Sequence, residues 1–236
     1  MITPQPLAKQ LAKAIDLSAD LYLKREDLHP YGSHKGRSIP VMIERYKLEW
    51  KNFCISSSGN AAKAAVLTIE ELQKNGQNIL LDVFVGAHIN QIKKAWLLGH
   101  TSEKIKITES PRPLQLLIEA EKNGSYSLRQ STDETAPLGY IALGEELQTI
   151  PNLFDIFVPA SSGTLAVGLG RFFLEKNPVV KIHVVQTEAV HPFSDSEIKT
   201  EHSVADAIVD KVGFRKTEIL DIVSNSHGSV TVPSDT

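Results

Sequence analysis

The fold is decided by residues 53–76, which read FCISSSGNAAKAAVLTIEELQKNG. The segment opens with a short apolar stretch, residues 53–56, of the kind that forms a buried strand. A small polar loop follows, and residues 60–74 then carry an alanine-rich helical pattern. Asn75 and Gly76 come next, and a glycine at this place commonly ends a helix. The segment therefore predicts one strand, one tight loop and one helix.

The same alternation of strand and helix runs along most of the chain. Strand-like stretches occur at residues 21–25, 79–85, 153–158 and 179–186, and helical stripes occur at residues 39–50, 137–150 and 164–176. Repeated strand–helix–strand units predict an α/β protein with a mostly parallel sheet and helices on both faces. A last strand-like stretch, residues 230–232, has no helix after it, so we expect the carboxyl end to be incomplete.

Composition and charge exclude several classes of protein. The chain has 236 residues, 42% of them hydrophobic, and a net charge of −3, which fits a globular protein without the basic surface of a nucleic-acid binder. Its single cysteine excludes an internal disulfide and a cysteine-rich zinc site. The sequence shows no secretory signal, no apolar run near the roughly 20 residues of a membrane span, and no metal-ligand spacing of histidines. We therefore expect a cytoplasmic protein without a metal, a nucleic-acid partner or a membrane contact.

The first loop with chemical potential is GSHKGR, residues 32–37, between a predicted strand and a predicted helix. Ligands of parallel sheets bind at the carboxyl ends of the strands, where this loop would lie. Lys35 would be near a helix N-terminus, whose positive dipole end favours the neutral amine. A neutral amine can attack a carbonyl to form a Schiff base. The alternative is that Lys35 is one of many solvated loop lysines.

Two more strand-to-helix loops offer anion cradles. One combines small hydroxyls with the free N–H groups of a helix start, and it consists of Ser57, Ser58, Gly59 and Asn60. The other is a candidate phosphate cradle, and it consists of Ser161, Ser162, Gly163, Thr164 and Leu165. Alone, each loop could be an ordinary capped helix start. Together with the lysine, they suit one ligand that has an aldehyde, a phosphate and a ring hydroxyl, which is pyridoxal phosphate.

In their amino-acid sequence and in their order along the chain, these loops resemble three motifs of the fold type II pyridoxal-phosphate enzymes, the tryptophan-synthase-β-like family. The segments are LYLKREDLHP with GSHKGR at 21–37, SSGNA at 57–61, and SGTL at 162–165 with Gly168. The motif sequences are most similar to those of threonine synthase and threonine dehydratase. The resemblance implies two three-layer α/β/α domains with mostly parallel sheets and a homodimer. Residues 1–38 and 120–236 would form the larger cofactor domain and residues 39–119 the smaller mobile domain, with further chain expected beyond the carboxyl end.

The resemblance also implies roles for single residues. Lys35 would bind pyridoxal phosphate as a Schiff base and later remove the proton from the substrate Cα. Asn60 would bind the oxygen of the ring hydroxyl, and His34 would either reach the phosphate or be a solvated loop histidine. The phosphate would be bound by Ser161, Ser162, Gly163, Thr164 and Leu165. The substrate carboxylate would be bound by Ser57, Ser58, Gly59 and Asn60.

The function implied is that of a pyridoxal-phosphate-dependent lyase that eliminates or replaces a group at Cβ or Cγ of a small amino acid, as threonine synthase does. A threonine synthase binds a phosphorylated substrate, so it needs extra cations near the cofactor, and the candidates are Lys63, Arg37 and Arg129. One alternative is a threonine or serine dehydratase. A second is a module that binds pyridoxal phosphate without turnover. A third is a flavodoxin-like or Rossmann-like binder of another phosphate ligand.

Overall fold

Two parallel sheets organise the chain. They are seen in a computed structural model that describes residues 2–57, 59–87, 89–198, 200–205, 207–208 and 210–234. The first sheet contains β1 (Asn52–Ser56), β2 (Leu80–Gly86), β3 (Ile105–Ser110) and β4 (Tyr126–Ser127), in the spatial order β3-β2-β1-β4. The second sheet contains β5 (Asp155–Pro159), β6 (Lys181–Val185) and β7 (Ser229–Thr231) in chain order. All strand pairs in both sheets are parallel, which confirms the predicted α/β class.

Helices connect the strands. The α-helices are α1 (Lys9–Ala14), α2 (Lys35–Tyr46), α3 (Asn60–Lys74), α4 (Gln91–Gly99), α5 (Pro113–Lys122), α6 (Ile141–Leu147), α7 (Thr164–Lys176) and α8 (Lys216–Asn225). Two short 3-10 helices span Glu26–Leu28 and Ala136–Tyr140. Within the part of the chain that the structure describes, no helix is long and apolar enough to cross a membrane.

Two sequence-based predictions of local structure are wrong. Residues 21–25 form a single antiparallel bridge, Leu7 to Tyr22, instead of a sheet strand. They run beside residues 4–8, where Pro4 and Pro6 accept hydrogen bonds but have no N–H to complete a ladder. Residues 137–150 divide into the 3-10 helix Ala136–Tyr140 and α6, because Gly139 packs directly on α2.

Each sheet has its own apolar core. The first core is built on β1 and β2 and includes the fully buried Phe53, Val83 and Ile69. The second is built on β5 and β6 and includes Val158 and Ile182. The inward side chains of the central strands are apolar, as expected where helices cover a parallel sheet.

The 3-10 helix Ala136–Tyr140 joins the two parts through close backbone contacts. A Cβ added at Gly139 would lie 2.4 Å from the carbonyl oxygen of Arg37 in α2. A Cβ added at Gly168 in α7 would lie 2.5 Å from the carbonyl oxygen of Pro137. Both approaches require glycine, since real Cβ atoms do not come this near to other atoms. As a result, α2 and α7 pack on opposite sides of one short segment, and their N-termini meet at one cavity.

A buried ion cluster lies where the N-terminal segment, α2 and α6 come together. Arg37 donates to both oxygens of Glu26, at 2.7 and 2.8 Å, and to both oxygens of Glu146, at 2.7 and 3.0 Å. Lys24 also donates to Glu146 and to the carbonyl oxygen of Thr3. Burial by itself raises the pKa of Glu146, but the hydrogen bonds from Arg37 and Lys24 outweigh burial and lower this pKa to about 2.

Candidate active site

A cavity of about 710 Å³ lies at the carboxyl ends of β1 and β5. It brings the three loops together, as ligand sites of open α/β sheets require. The predicted site residues that line it are His34, Lys35, Ser57, Gly59, Asn60, Ser161, Ser162, Gly163, Thr164 and Leu165. Ser58 was also predicted, and it lies outside the described residues. Three segments far apart in sequence therefore meet around one space.

Lys35 is the first residue of α2 and is partly buried at the cavity wall. Among the described residues, its ammonium nitrogen has no hydrogen-bond or ion-pair partner. Burial lowers the pKa of Lys35 to about 8, while the carboxylate of Asp210 acts in the opposite direction. About a tenth of such a group is neutral at pH 7, far more than for an ordinary lysine. The amine is thus prepared to react with a carbonyl or to take a proton.

The loop before α7 has the geometry of an anion cradle. Gly163 adopts a left-handed backbone, with φ of +79°, and a Cβ there would lie 2.1 Å from Ile219. The small side chains and this turn leave the first N–H groups of the 13-residue α7 facing the cavity edge. Ser162 and Thr164 exchange a hydroxyl hydrogen bond of 3.0 Å, and Thr164 also donates to the carbonyl oxygen of Gln130 at 3.1 Å.

The loop between β1 and α3 forms the wall beside Lys35. Ser57 directly follows β1, and its backbone N–H donates to the carbonyl oxygen of Phe84 at 3.1 Å. The Gly59 N–H donates to the Ser57 hydroxyl at 3.3 Å, which tightens the turn. Asn60 is the first residue of α3, and its side chain is exposed where it lines the cavity. The N–H groups at the helix start and these small polar groups can bind a carboxylate by donating hydrogen bonds to it.

His34 lies next to Lys35 and lines the same cavity. Its ring centre is 6.0 Å from that of Tyr140. Burial, followed by the positive charges of Lys35 and Arg37, lowers the pKa of His34 to about 3. His34 is therefore neutral at physiological pH and can donate a single ring N–H.

The three cations proposed for a phosphorylated substrate are placed differently. Arg37 belongs to the buried ion cluster and does not line the cavity. Lys63 does not line it either, and its ammonium lies 5.4 Å from the ring centre of Trp96. Arg129 does line the cavity, with its guanidinium 4.4 Å from the ring centre of Phe214. Lys93 in α4 is a further lining cation that sequence reasoning missed.

Asp210 is another site residue that sequence reasoning missed. Its carboxylate accepts the Ser161 hydroxyl at 2.8 Å, and its N–H donates to the same hydroxyl oxygen at 3.2 Å. Residues 203–212 carry no loop motif like those at 32–37, 57–60 and 161–165, so nothing in the sequence indicated this contact. Gln130 was missed for a different reason, since it contributes mainly a backbone carbonyl, which has no sequence signature.

The sequence pattern of the proteins described as pyridoxal-phosphate dependent enzymes matches residues 1–236. The chain belongs to this family. The family assignment agrees with the structure, in which Lys35 and the two cradles line one cavity. It also confirms the resemblance inferred from the three motifs.

Relatives and solved structures agree with the family. The L-threonine dehydratase catabolic TdcB of Staphylococcus aureus is 27% identical over 214 residues, which cover 87% of this chain and 60% of that protein. The processed form of threonine deaminase isoform 2 from Solanum lycopersicum superposes with a TM-score of 0.76 at 22% identity, covering 92% of this chain and 66% of that one. Maize serine racemase superposes with a TM-score of 0.83 at 17% identity, covering 99% and 71%. The chain thus spans about three fifths of the length of the curated relative, and the two structures show the shared fold.

The cavity fits the family's cofactor, pyridoxal phosphate. Its volume of about 710 Å³ exceeds the needs of one small ring with a phosphate. Lys35 offers an amine that has no protein partner among the described residues. The N-terminus of α7 offers N–H donors for the phosphate, with Gly163 leaving no side chain in the way. Among the described residues, Asp210 is the one carboxylate that lines the cavity, and it would compete with a phosphate for Ser161.

Proposed function

We propose that the chain acts as a pyridoxal-phosphate-dependent lyase that eliminates or replaces a group at Cβ or Cγ of a small amino acid. The observation that carries the proposal is Lys35, a partly buried amine of lowered pKa in the same cavity as two anion cradles. Support also comes from relatives named threonine dehydratase and threonine deaminase. Because the chain covers 60% of the first of these, the activity of a whole relative carries over only as a proposal.

Each part of the cavity has a role in this proposal. Bound pyridoxal phosphate supplies an electron sink that makes the substrate Cα proton acidic. Lys35 would hold the cofactor through its amine and, once released, take the proton at Cα. The Asn60 amide would donate to the oxygen of the ring hydroxyl, and neutral His34 would donate a ring N–H to the phosphate.

The two cradles would hold the two anions of the complex. The phosphate would be bound by Ser161, Ser162, Gly163, Thr164 and Leu165, with the backbone N–H groups as its main donors. The substrate carboxylate would be bound by Ser57, Ser58, Gly59 and Asn60. Both anions would then lie near the positive ends of helix dipoles, which fixes the substrate between α3 and α7.

Arg129 favours a threonine-synthase-like reaction over the dehydratase reaction. With the cofactor phosphate and the substrate carboxylate assigned to the cradles, the guanidinium of Arg129 is left for a further anion. In the described part of the chain it has no carboxylate partner and is held by Phe214. A phosphate ester on the substrate side chain suits a guanidinium, whereas threonine and serine offer no second anion.

Substrate assays separate the two reactions. We expect the chain loaded with pyridoxal phosphate to release phosphate from O-phosphohomoserine. We also expect Arg129→Gln to lower kcat/KM about tenfold or more through the lost ion pair. Arg45→Gln is the matched control, because Arg45 also lies over an aromatic ring, that of Tyr46, but is on the outer surface of α2. If 2-oxo acid forms from threonine or serine and no phosphate is released from O-phosphohomoserine, the chain is a dehydratase instead.

A second candidate is a module that binds pyridoxal phosphate without turnover. The contact that favours it is the hydrogen bond from Ser161 to Asp210, which places a protein carboxylate at the phosphate cradle. The same assays decide, since this candidate predicts cofactor loading on Lys35 together with no product from any of the three substrates.

We also propose the domain division, location and assembly expected from the sequence. The larger cofactor domain would comprise residues 1–38 and 120–236, and the smaller mobile domain residues 39–119. The support is that each of the two sheets has its own apolar core, but β4 and Leu128 pack with the first sheet from the far side of the proposed boundary. A cytoplasmic homodimer is consistent with the family resemblance and with the single, buried cysteine Cys54.

A further inference from the structure

Arg215 is a buried arginine directly before α8, with only 3% of its side chain exposed. One terminal nitrogen, Nη2, donates to the carbonyl oxygen of Gln130 at 2.9 Å and to that of Asp133. The other, Nη1, pairs with Glu218 at 3.2 Å. Its Nε is buried without an acceptor in the described part of the chain. A buried guanidinium is costly to desolvate, so the contacts of its two terminal nitrogens must offset that cost.

The two carbonyls belong to a turn that forms one wall of the cavity. Arg129, Gln130 and Ser131 from this turn line the cavity directly. Asp133 fixes the other end of the turn, because one of its carboxylate oxygens accepts two backbone N–H groups and the Thr135 hydroxyl. Arg215 therefore connects this wall to α8.

The carbonyl oxygen of Gln130 has a second donor, and this donor is in the phosphate cradle. The Thr164 hydroxyl donates to it at 3.1 Å. A carbonyl cannot donate, so the proton of Thr164 is committed to this bond. In the 3.0 Å pair between Ser162 and Thr164, Ser162 must then be the donor. The position of the Gln130 carbonyl thereby sets the direction of both hydroxyls at the N-terminus of α7.

We propose that Arg215 is a positioning residue of the cofactor site, which acts by holding the Gln130 carbonyl and through it the hydroxyls of Thr164 and Ser162. The assignment of the cofactor rests on the proposed function. Without Arg215, the Gln130 carbonyl loses its charged donor and the turn at 129–133 loosens. The hydroxyls of Thr164 and Ser162 are then free to rotate. The cradle therefore binds a phosphate less tightly, because its hydroxyl groups are no longer held in one orientation.

The ion pair of Arg215 provides a way to separate positioning from stability. Glu218 pairs with Arg215 and also with Arg171 on α7. Glu218→Gln removes both ion pairs but leaves Arg215 and its two carbonyl contacts in place. Arg171→Gln removes an exposed partner of the same glutamate. Its other ion pair is to Glu134 at 3.7 Å, just outside the turn at 129–133. Neither residue lines the cavity.

The experiment compares Arg215→Gln, Arg215→Lys, Glu218→Gln and Arg171→Gln in two measurements. The first is the dissociation constant of pyridoxal phosphate, and the second is amide hydrogen exchange of residues 129–133 without cofactor. We expect Arg215→Gln to weaken cofactor binding about tenfold and to speed exchange in that turn. We expect Arg215→Lys to restore part of the affinity, since an ammonium can hold one carbonyl but lacks the fork that holds two groups. Glu218→Gln and Arg171→Gln should lower the unfolding midpoint without changing affinity or turn exchange.

Two results would overturn the proposal. In one, Arg215→Gln lowers stability but keeps wild-type affinity and wild-type exchange in residues 129–133. In the other, Glu218→Gln weakens cofactor binding as much as Arg215→Gln, which would make the effect one of general stability. If the wild-type chain does not bind pyridoxal phosphate, the proposed function fails, while the exchange measurement still decides whether Arg215 holds the turn.

Discussion

Charged side chains are treated in opposite ways in two regions of the molecule. In the buried ion cluster, Arg37 faces two carboxylates and Glu146 faces two cations, so every charge has a protein partner. In the cavity, Lys35 has no hydrogen-bond partner among the described residues, and burial lowers its pKa to about 8. All charges of the cluster are paired within the folded chain, whereas the cavity leaves the amine of Lys35 available to a ligand.

This difference separates residues that hold the fold from residues that perform chemistry. Paired buried charges are costly to break, because removing one leaves the other desolvated. An unpaired amine in a cavity is itself a cost to the fold, and such costs are typical of functional sites. Substitutions in the two regions should therefore change stability in opposite directions.

The largest effect is expected from breaking the ion cluster. Glu146→Gln leaves Lys24 without its carboxylate and Arg37 with one partner, so we expect a loss of about 3–5 kcal/mol in the free energy of unfolding. Urea denaturation measures it. Glu44→Gln is the control, because Glu44 forms an exposed pair with Lys47 and should cost less than about 1 kcal/mol. Equal losses in the free energy of unfolding for the two variants would show that the buried ion cluster is no more stabilising than an exposed ion pair.

The pH dependence of stability offers a second measurement on the same carboxyl. The pKa of Glu146 is about 2 in the folded chain and 4.5 ordinarily, so its contribution is complete above pH 4.5 and is lost as the pH falls toward 2. We expect the wild-type chain to lose more stability than Glu146→Gln in this window. Parallel curves for the two proteins would show that the cluster does not hold this carboxyl ionised.

A substitution at the cavity is expected to change the free energy of unfolding in the opposite direction. Because the pKa of Lys35 falls from 10.5 to about 8 on folding, its ammonium destabilises the fold below pH 8, and this penalty disappears as the pH rises to 10.5. Lys35→Met should therefore raise the free energy of unfolding at pH 7 by about 1–3 kcal/mol without cofactor, with the difference closing at high pH. Lys13→Met, at an exposed site on α1, should be neutral. A destabilising Lys35→Met would mean that the amine is satisfied within the protein.

The smallest effect concerns Asp210. Its carboxylate opposes the lowering of the Lys35 pKa, so Asp210→Asn should lower that pKa further. The rate at which an acylating reagent modifies Lys35, followed by mass spectrometry across pH, reports the pKa. Asp195→Asn is the control, since Asp195 pairs with Lys216 on the surface. An unchanged Lys35 profile in Asp210→Asn would show that this carboxylate does not act on the amine.

Much of the fold could be predicted from sequence because its signals are local. The buried strands and the helices α3 and α7 follow from apolar periodicity and from the small residues at their starts. The two anion-cradle loops follow from the rule that ligands bind at the carboxyl ends of parallel strands, whereas the lysine loop reaches the cavity without a sheet strand before it. The family match and the shared cavity agree with that prediction.

The parts that could not be predicted depend on contacts between distant residues. Arg37 was a candidate for binding substrate, yet Glu146, more than a hundred residues away in sequence, holds it in the ion cluster. Asp210 lines the cavity from outside the three loops, and Arg215 holds a cavity wall through backbone carbonyls, which have no sequence signature. The 3-10 helix Ala136–Tyr140 replaces the start of the predicted helix, and Gly139 within it packs against α2, a tertiary contact that local periodicity does not reveal.

The most direct test of the account is reduction of the complex between the purified chain and pyridoxal phosphate. The absorbance spectrum is recorded before and after borohydride, and the labelled peptide is then mapped. We expect a visible band that borohydride removes and a cofactor mass on Lys35 alone. No band, or a label on any other lysine such as Lys63 or Lys93, would contradict the assignment of Lys35 as the residue that holds the cofactor.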